Sequence, residues 1–226
     1  MAYLITIDGL DGSGKETQAR LLTESLQKEG YNVRTLSFPM YGTPGAQGVE
    51  LYLHGGLGGK PEDTNAYAAS MLFGYDRYLS YRTDWAEDCR RDDTVIVFNR
   101  YTTANAVHQL SKLPRAEWDA FLAWLWDFEF TKLGLPMPDR ILYLEMTPAI
   151  SHRLIDGRTA ETGRQKDIHE TDAHHLENSY AAALYAAEKL AWTRIRCYEG
   201  DEPRPIADIH AEIREKIFPY LPRLHK

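Results

Sequence analysis

With 226 residues, 43% of them apolar, the chain is long enough for one α/β domain with a substantial core, and no second domain is expected within 1–226. Its formal charge of −7 argues against a general affinity for nucleic-acid polymers while leaving room for a local basic site around a small phosphorylated ligand. Cys89 and Cys197 are too few and too far apart for a disulfide framework or a zinc site. Neither a charged-then-apolar leader nor a run of about 18 apolar residues is present, so the expected setting is the cytoplasm, with no membrane partner.

The first predicted element is a buried strand, Tyr3 to Asp8, and the second a helix from Lys15 with an apolar stripe of Leu21, Leu22 and Leu26 and a C-terminal glycine, Gly30. Between them, Gly9, Gly14 and Lys15 satisfy the phosphate-loop pattern G-x-x-x-x-G-K. In a strand–loop–helix setting, Gly12 and Gly14 let backbone N–H groups curl around phosphate oxygens. The helix N-terminus adds partial positive charge, and Lys15 reaches the outer phosphates. Glu16 stands where the pattern normally supplies a Ser or Thr hydroxyl to Mg²⁺. It either reaches the metal through a water or points outward on the first helical turn, and the outward placement is expected because a carboxylate does not fit space sized for a hydroxyl. Thr17 follows, with a hydroxyl close to where an α-phosphate would lie.

Further strands are predicted at Tyr31 to Phe38, Thr94 to Phe98, Arg140 to Met146 and Thr193 to Glu199, with helical stretches between, an alternation that implies a parallel sheet covered on both faces. Two polar, glycine-bearing segments read as loops: His54 to Asp63, and Asp156 to Asp167, which carries Arg158, Arg164 and Lys166 and reads as a lid. The stretch Arg115 to Phe130 places Trp118, Phe121, Leu122 and Leu125 at helical spacing. It adds Trp124, Trp126, Phe128 and Phe130 around the rest of the circumference, which fits either a helix sandwiched inside the monomer or a subunit interface. The run "DIHETDAHH" lacks the H-E-x-x-H spacing of a zinc pair, since Ala173 lies four residues after His169. It is expected to be a solvated helix start near the lid.

Five stretches in order, "DGSGKETQ" at 11–18, "FPMYGTPGAQ" at 38–47, "SMLFGYDRY" at 70–78, "NRYTTANAVHQ" at 99–109 and "RTAETGRQKDIHE" at 158–170, together resemble the thymidylate kinase family of phosphate-loop nucleoside monophosphate kinases. The resemblance implies a three-layer phosphate-loop NTPase fold, a five-stranded parallel sheet flanked by helices, a lid at about 156–169 and ATP- and Mg²⁺-dependent phosphorylation of dTMP to dTDP by a homodimer. It assigns the ATP phosphates to Gly9, Asp11, Gly12, Ser13, Gly14, Lys15, Glu16 and Thr17, and adenine to Arg153. Thymidylate falls to Asp11, Phe38, Tyr41, Phe73, Arg77, Arg100, Asn105, His108 and Gln109. Phe73 is expected to stack on the base, with Arg77 one turn later reading its edge.

Phosphoryl transfer is mostly positioning plus neutralisation of charge on phosphate oxygens, so Lys15, Arg100, Arg158 and Arg164 are the expected catalytic cations, with Asn99 beside them. The chain departs from the family pattern at Asn99, where Asp is usual, and at Met40, Ala104 and His108, where Arg, Ser and Tyr are usual. With an amide at 99 and an acid at 16, the expected metal ligands are Asp11 and then Glu170, which suffice because waters and phosphates complete an Mg²⁺ octahedron. Competing functions are a kinase for another deoxynucleotide or a deoxynucleoside, and a nucleotide-binding regulatory protein weakened by Glu16 and Asn99.

Overall fold

A computed structural model describes residues 1–162 and 167–222. Strands β1 (Tyr3–Gly9), β2 (Asn32–Ser37), β3 (Thr94–Asn99), β4 (Arg140–Glu145) and β5 (Thr193–Arg196) form a five-stranded sheet in the order β2-β3-β1-β4-β5. Every neighbouring pair is parallel. The helices are α1 (Lys15–Lys28), α2 (Gln47–Leu53), α3 (Ala66–Ser80), α4 (Ala86–Cys89), α5 (Thr103–His108), α6 (Trp118–Trp126), α7 (Pro148–Thr162), α8 (Ile168–Thr171), α9 (Ala173–Lys189) and α10 (Ile206–Ile217). A small antiparallel ribbon, β6 (Tyr198–Glu199) and β7 (Glu202–Pro203), lies apart from the main sheet.

Alternation along the strands sorts side chains to two cores. Ile5, Ile7, Val95, Val97, Leu142, Leu144 and Ile195 pack against Leu22 and Leu26 of α1 and Ile209 and Ile213 of α10. On the other side Tyr143 joins Val107, Phe121, Leu125 and the alanine face of α9, Ala182, Ala183 and Ala186. Each fully buried Ile or Leu contributes about 1.5–3 kcal/mol, so the central strands are held from both sides. Their carboxyl ends are the one sheet edge where loops from several strands converge. Among the described residues no helix is long and apolar enough to cross a membrane.

Two expectations change. The predicted last strand is two elements, with β5 ending at Arg196 and β6 leaving the sheet to pair with β7. The segment predicted as a loop from Asp156 is helical through Thr162, as a continuation of α7. Gly157 does not stop it: a Cβ there would meet open space, so the position is a helix surface that merely carries a glycine, at a cost of about 1 kcal/mol. The aromatic stretch is largely satisfied inside the monomer. Trp118, Phe121, Leu122 and Leu125 are buried, and Trp124 stacks on Phe128 at 5.1 Å while Tyr67 meets it edge-on at 4.7 Å. The exposed apolar stripe lies instead on α3, where Tyr67, Met71 and Tyr75 recur every four residues at 38%, 53% and 53% exposure.

Candidate active site

The loop between β1 and α1 folds over its own carbonyl: Ser13 N–H donates to Leu10 O at 3.1 Å, and Lys15 Nζ donates to the same oxygen at 2.7 Å. Lys15 is thereby held within the loop, 93% buried, with its ammonium turned back onto the Leu10 carbonyl. Gly12 has φ +78°, and a Cβ there would come within 2.7 Å of Ser151 O on α7, so no larger residue fits. Gly14 caps α1 in the left-handed conformation, φ 85°. Glu16 is exposed in the first turn, and Thr17 is half-buried beside it.

The charged centre joins three strand ends. Asp11 Oδ1 forms an ion pair with Arg100 Nη2 and lies 3.7 Å from Lys15 Nζ. Burial alone would raise the Asp11 carboxyl, but Arg100 and Lys15 outweigh it and hold the group well below the ordinary carboxylate range. Burial likewise works against the Arg100 charge, and Asp11 and Asp8 reverse that effect, so the guanidinium stays protonated. Arg100 has φ 67°, an uncommon left-handed conformation for a residue with a Cβ, and its N–H donates to Ile7 O. That turn brings the arginine from the end of β3 across the end of β1. Asp8 is buried beneath it, receiving Gly9 N–H at 2.8 Å and Thr103 Oγ1 at 2.6 Å. Asn99 Nδ2 donates to Ser37 Oγ, whereas Asn99 Oδ1 and Ser13 Oγ are buried with no hydrogen-bond partner among the described residues.

A cavity of about 620 Å³ opens from this centre and is lined on one side by Phe38, Tyr41, Phe73, Arg77, Asn105, His108 and Gln109. Phe73, half-buried, meets Tyr52 edge-on at 6.1 Å. Arg77 is 99% buried and clamped by Glu129, with Nε donating to Oε2 at 2.7 Å and Nη2 to Oε1 at 2.5 Å. Thr102 Oγ1 and Asn105 Nδ2 also donate to Glu129, at 2.7 and 3.2 Å. The acid thus fixes two cavity residues from behind. It sits in a π-helical segment, Asp127–Lys132, which follows α6 and turns Glu129 inward. The Gln109 amide, which adjoins the Tyr52 hydroxyl, has both polar atoms buried and outside hydrogen-bonding geometry among the described residues, as suits a group awaiting a ligand edge. Phe38 packs among Trp85, Phe98 and Tyr101, and Tyr41 is exposed at the cavity lip.

The histidine run is not a solvated helix start. His169 and His175 are 4% and 1% exposed, and their rings gather with that of His108 at centroid distances of 4.5–5.7 Å. The solvation expectation failed because Asp167 and Asp172 cap α8 and α9 with their side chains, turning the imidazoles inward. Burial depresses all three: His108 and His169 go well below the ordinary imidazole range, and His175 to about 4. Burial also raises Asp167 to about 6, with Asp11 adding to the effect. Glu170 is buried at the cavity wall, in the first turn of α8.

The donor side of the cavity is lined by Gly12, Leu154, Pro203, Arg204 and Ile206. Arg153 is not among the lining residues: its Nη2 donates to Asp201 O at 2.7 Å and to Glu202 Oε2 at 3.1 Å, which ties it to the β6–β7 ribbon. Arg164 and the Arg158 side chain lie outside the described residues. Sequence reasoning missed Glu129 and Asp8. An acid inside "WDFEF" was the available signal for the first, and the chain-distant Thr103 that accompanies the second left none.

A glycine loop at the carboxyl end of the central strand, a lysine folded over its amides and a strand order of this kind define a phosphate-loop nucleotide-binding fold. The family model for thymidylate kinase matches residues 7–213. A thymidylate kinase of Mycobacterium tuberculosis (strain CDC 1551 / Oshkosh) is 33% identical over 185 residues, covering 81% of this chain and 84% of that protein. A probable thymidylate kinase of Thermococcus gammatolerans is 27% identical over 94% of both chains, and a thymidylate kinase of Ruegeria pomeroyi 26% over 97% and 96%. The chain belongs to the thymidylate kinase family, and is a phosphotransferase.

Proposed function

We propose that this chain moves the terminal phosphoryl group of ATP onto the phosphate of deoxythymidine monophosphate, giving dTDP. The observation that carries the reading is the convergence of Lys15 and Arg100 on Asp11 where the phosphate loop opens into a cavity lined by Phe73, Arg77, Asn105 and Gln109. Two anionic substrates meeting there would take over the cations now paired with Asp11, one from each side. Lys15 would neutralise the outer ATP phosphates, and Arg100 the acceptor phosphate together with Tyr41. At the far end Phe73 offers a ring face to the base, and Arg77, Asn105 and Gln109 present polar atoms to its edge. Arg158 and Arg164, from α7 and the segment beyond it, add positive charge to the transferring group and exclude water.

The oxygen donors at this centre suit Mg²⁺. Asp11 and Glu170 supply carboxylates; among the described residues Asp11 uses only Oδ1 in its ion pairs, and Asn99 Oδ1, without a partner there, lies within the same cavity wall. Bound there, the ion would neutralise phosphate charge. Glu16 takes no part, being on the exposed side of the first turn. The stripe Tyr67, Met71 and Tyr75 on α3 is the surface through which two chains would pair, and the cytoplasm is the compartment proposed for the reaction.

His108, where the family has a phenol, favours one variant of this reading, in which the sugar or base preference is relaxed. A coupled ADP-release assay over dTMP, dUMP, dCMP, dGMP and thymidine decides among these. Turnover fastest with dTMP supports the proposal, turnover fastest with another acceptor replaces it, and nucleotide binding without turnover on any acceptor leaves a regulatory protein.

A further inference from the structure

The cluster His108, His169 and His175 comes from three helices, α5, α8 and α9, and offers one nitrogen from each within 4.8 Å of the others. We infer that these three imidazoles form a site for one divalent transition-metal ion of the zinc class, built into the wall of the main cavity and separate in its ligands from the carboxylates proposed for Mg²⁺. Neither the assignment nor its test rests on the kinase reading.

Three observations support it. First, two of the rings are sparsely bonded among the described residues. There His108 Nδ1 is buried with no hydrogen-bond partner, and its Nε2 has only a 3.5 Å approach from Arg100. His175 Nε2 has there only a 3.4 Å contact to Ser179, and its Nδ1 lies 4.0 Å from Glu62. A packed core has little reason to bury three polar rings with so few hydrogen bonds, since each unsatisfied nitrogen costs about 1–3 kcal/mol. Second, His169 already has the outer contact that metal-bound imidazoles use. Its Nε2 is 2.8 Å from Tyr52 Oη, which in turn receives Lys112 Nζ at 2.8 Å, so Nδ1 is the nitrogen that would bind the ion. Third, the donors select the ion. Imidazole suits zinc, cobalt, nickel and copper, whereas Mg²⁺ prefers oxygen.

The geometry requires a modest contraction. Zn–N bonds of about 2.0–2.1 Å put tetrahedral nitrogens about 3.3 Å apart, so an ion must draw the rings inward by roughly 1.5 Å at most, a movement that the broad imidazole χ2 torsion permits. His108 and His169 line the cavity and His175 does not, so a fourth coordination position open to the cavity is left for water or a ligand oxygen. The bound ion would pin the residues from 167 to 175 onto α5.

The test uses the full chain stripped of metal with EDTA. Titration with Co²⁺ should give the intense visible absorption of a tetrahedral nitrogen site at one ion per chain, and Zn²⁺ should abolish it stoichiometrically while excess Mg²⁺ leaves it. His175→Ala, and the volume-conserving His175→Gln, should each weaken binding at least about 100-fold, and Tyr52→Phe about 10-fold, the range expected for an outer contact. Asp11→Asn should retain the band. The inference is overturned by an octahedral Co²⁺ spectrum, by a tetrahedral band that survives both His175 variants, or by displacement with Mg²⁺.

Discussion

Replacing Glu129 by Gln removes one charge from a place that water does not reach. Arg77 and Glu129 are 1% and 0% exposed, and the acid receives four N–H or O–H groups, two of them from the guanidinium. The amide is nearly isosteric, but its NH₂ must face one of those donors, and Arg77 loses its only close counter-charge among the described residues. Breaking a buried ion pair from one side costs about 3–5 kcal/mol. For a chain of this size, where each kcal/mol lowers Tm by about 2–4 °C, the expected loss is roughly 6–20 °C by calorimetry or circular dichroism. Arg77 and Asn105 are the cavity residues that Glu129 holds, so the variant should also raise the KM for thymidylate about 10-fold or more, the value of one charged hydrogen bond. The kcat should hold, because Lys15 and Arg100 stand at the other end of the cavity. A Tm within about 2 °C of the parent would refute the buried-pair argument. A large fall in Tm with KM unchanged would leave the pair intact as structure and remove Arg77 from base recognition.

Lys15→Ala should lower kcat about 10²–10³-fold with the fold intact, and unchanged steady-state turnover would dismiss the phosphate-loop assignment. Arg158→Ala combined with Arg164→Ala should reduce kcat while leaving ATP affinity nearly unchanged in equilibrium titration; full activity would remove both arginines from the transition state. Burial lowers Lys112 to about 7, so the unfolded chain binds more protons than the native one between that pH and the ordinary lysine value of about 10.4. Stability from this group therefore rises with pH across that window, and Lys112→Met, melted in EDTA, should gain most at pH 6 and converge toward the parent by about pH 10. If two chains pair through the α3 stripe as proposed, Met71→Glu should lower the mass in light scattering from dimer to monomer; a dimeric parent with an unchanged variant would move the interface elsewhere, and a monomeric parent would remove it.

The five strands were legible because each is a β-branched or apolar run whose alternation survives on both faces, as in "YLITID" and "TVIVFN". The phosphate loop was legible because its backbone demands are local: Gly12 and Gly14 serve conformations that sequence alone announces. Glu129 was not, because its meaning lies in Arg77, 52 residues earlier, and in a π-helical segment that no periodicity predicts. The histidines misled for a related reason. Spacing within the run gave no metal pattern, and the third imidazole, His108, arrives from a helix 61 residues upstream of His169. The partners of Arg153, Asp201 and Glu202, lie just beyond the predicted strand Thr193 to Glu199, on a turn and return arm that its pattern does not announce.

The strand order carries a consequence for how the molecule is made. β1 is translated before every other strand of the sheet, yet its two neighbours begin at Thr94 and Arg140. A nascent chain that has emerged as far as β3 therefore has the whole phosphate-loop motif in hand with only one flank of β1 closed, and the other flank waits for β4. Such distant pairings are slow to form and leave strand edges open meanwhile. Gly12 lies against Ser151 of α7, which is translated later still, so the wall that closes over the loop arrives only after β4 has been made. Nucleotide capture on stalled ribosomes would thus report completion of the sheet rather than synthesis of the motif, and ATP would stabilise only chains that had already passed the aggregation-prone stage.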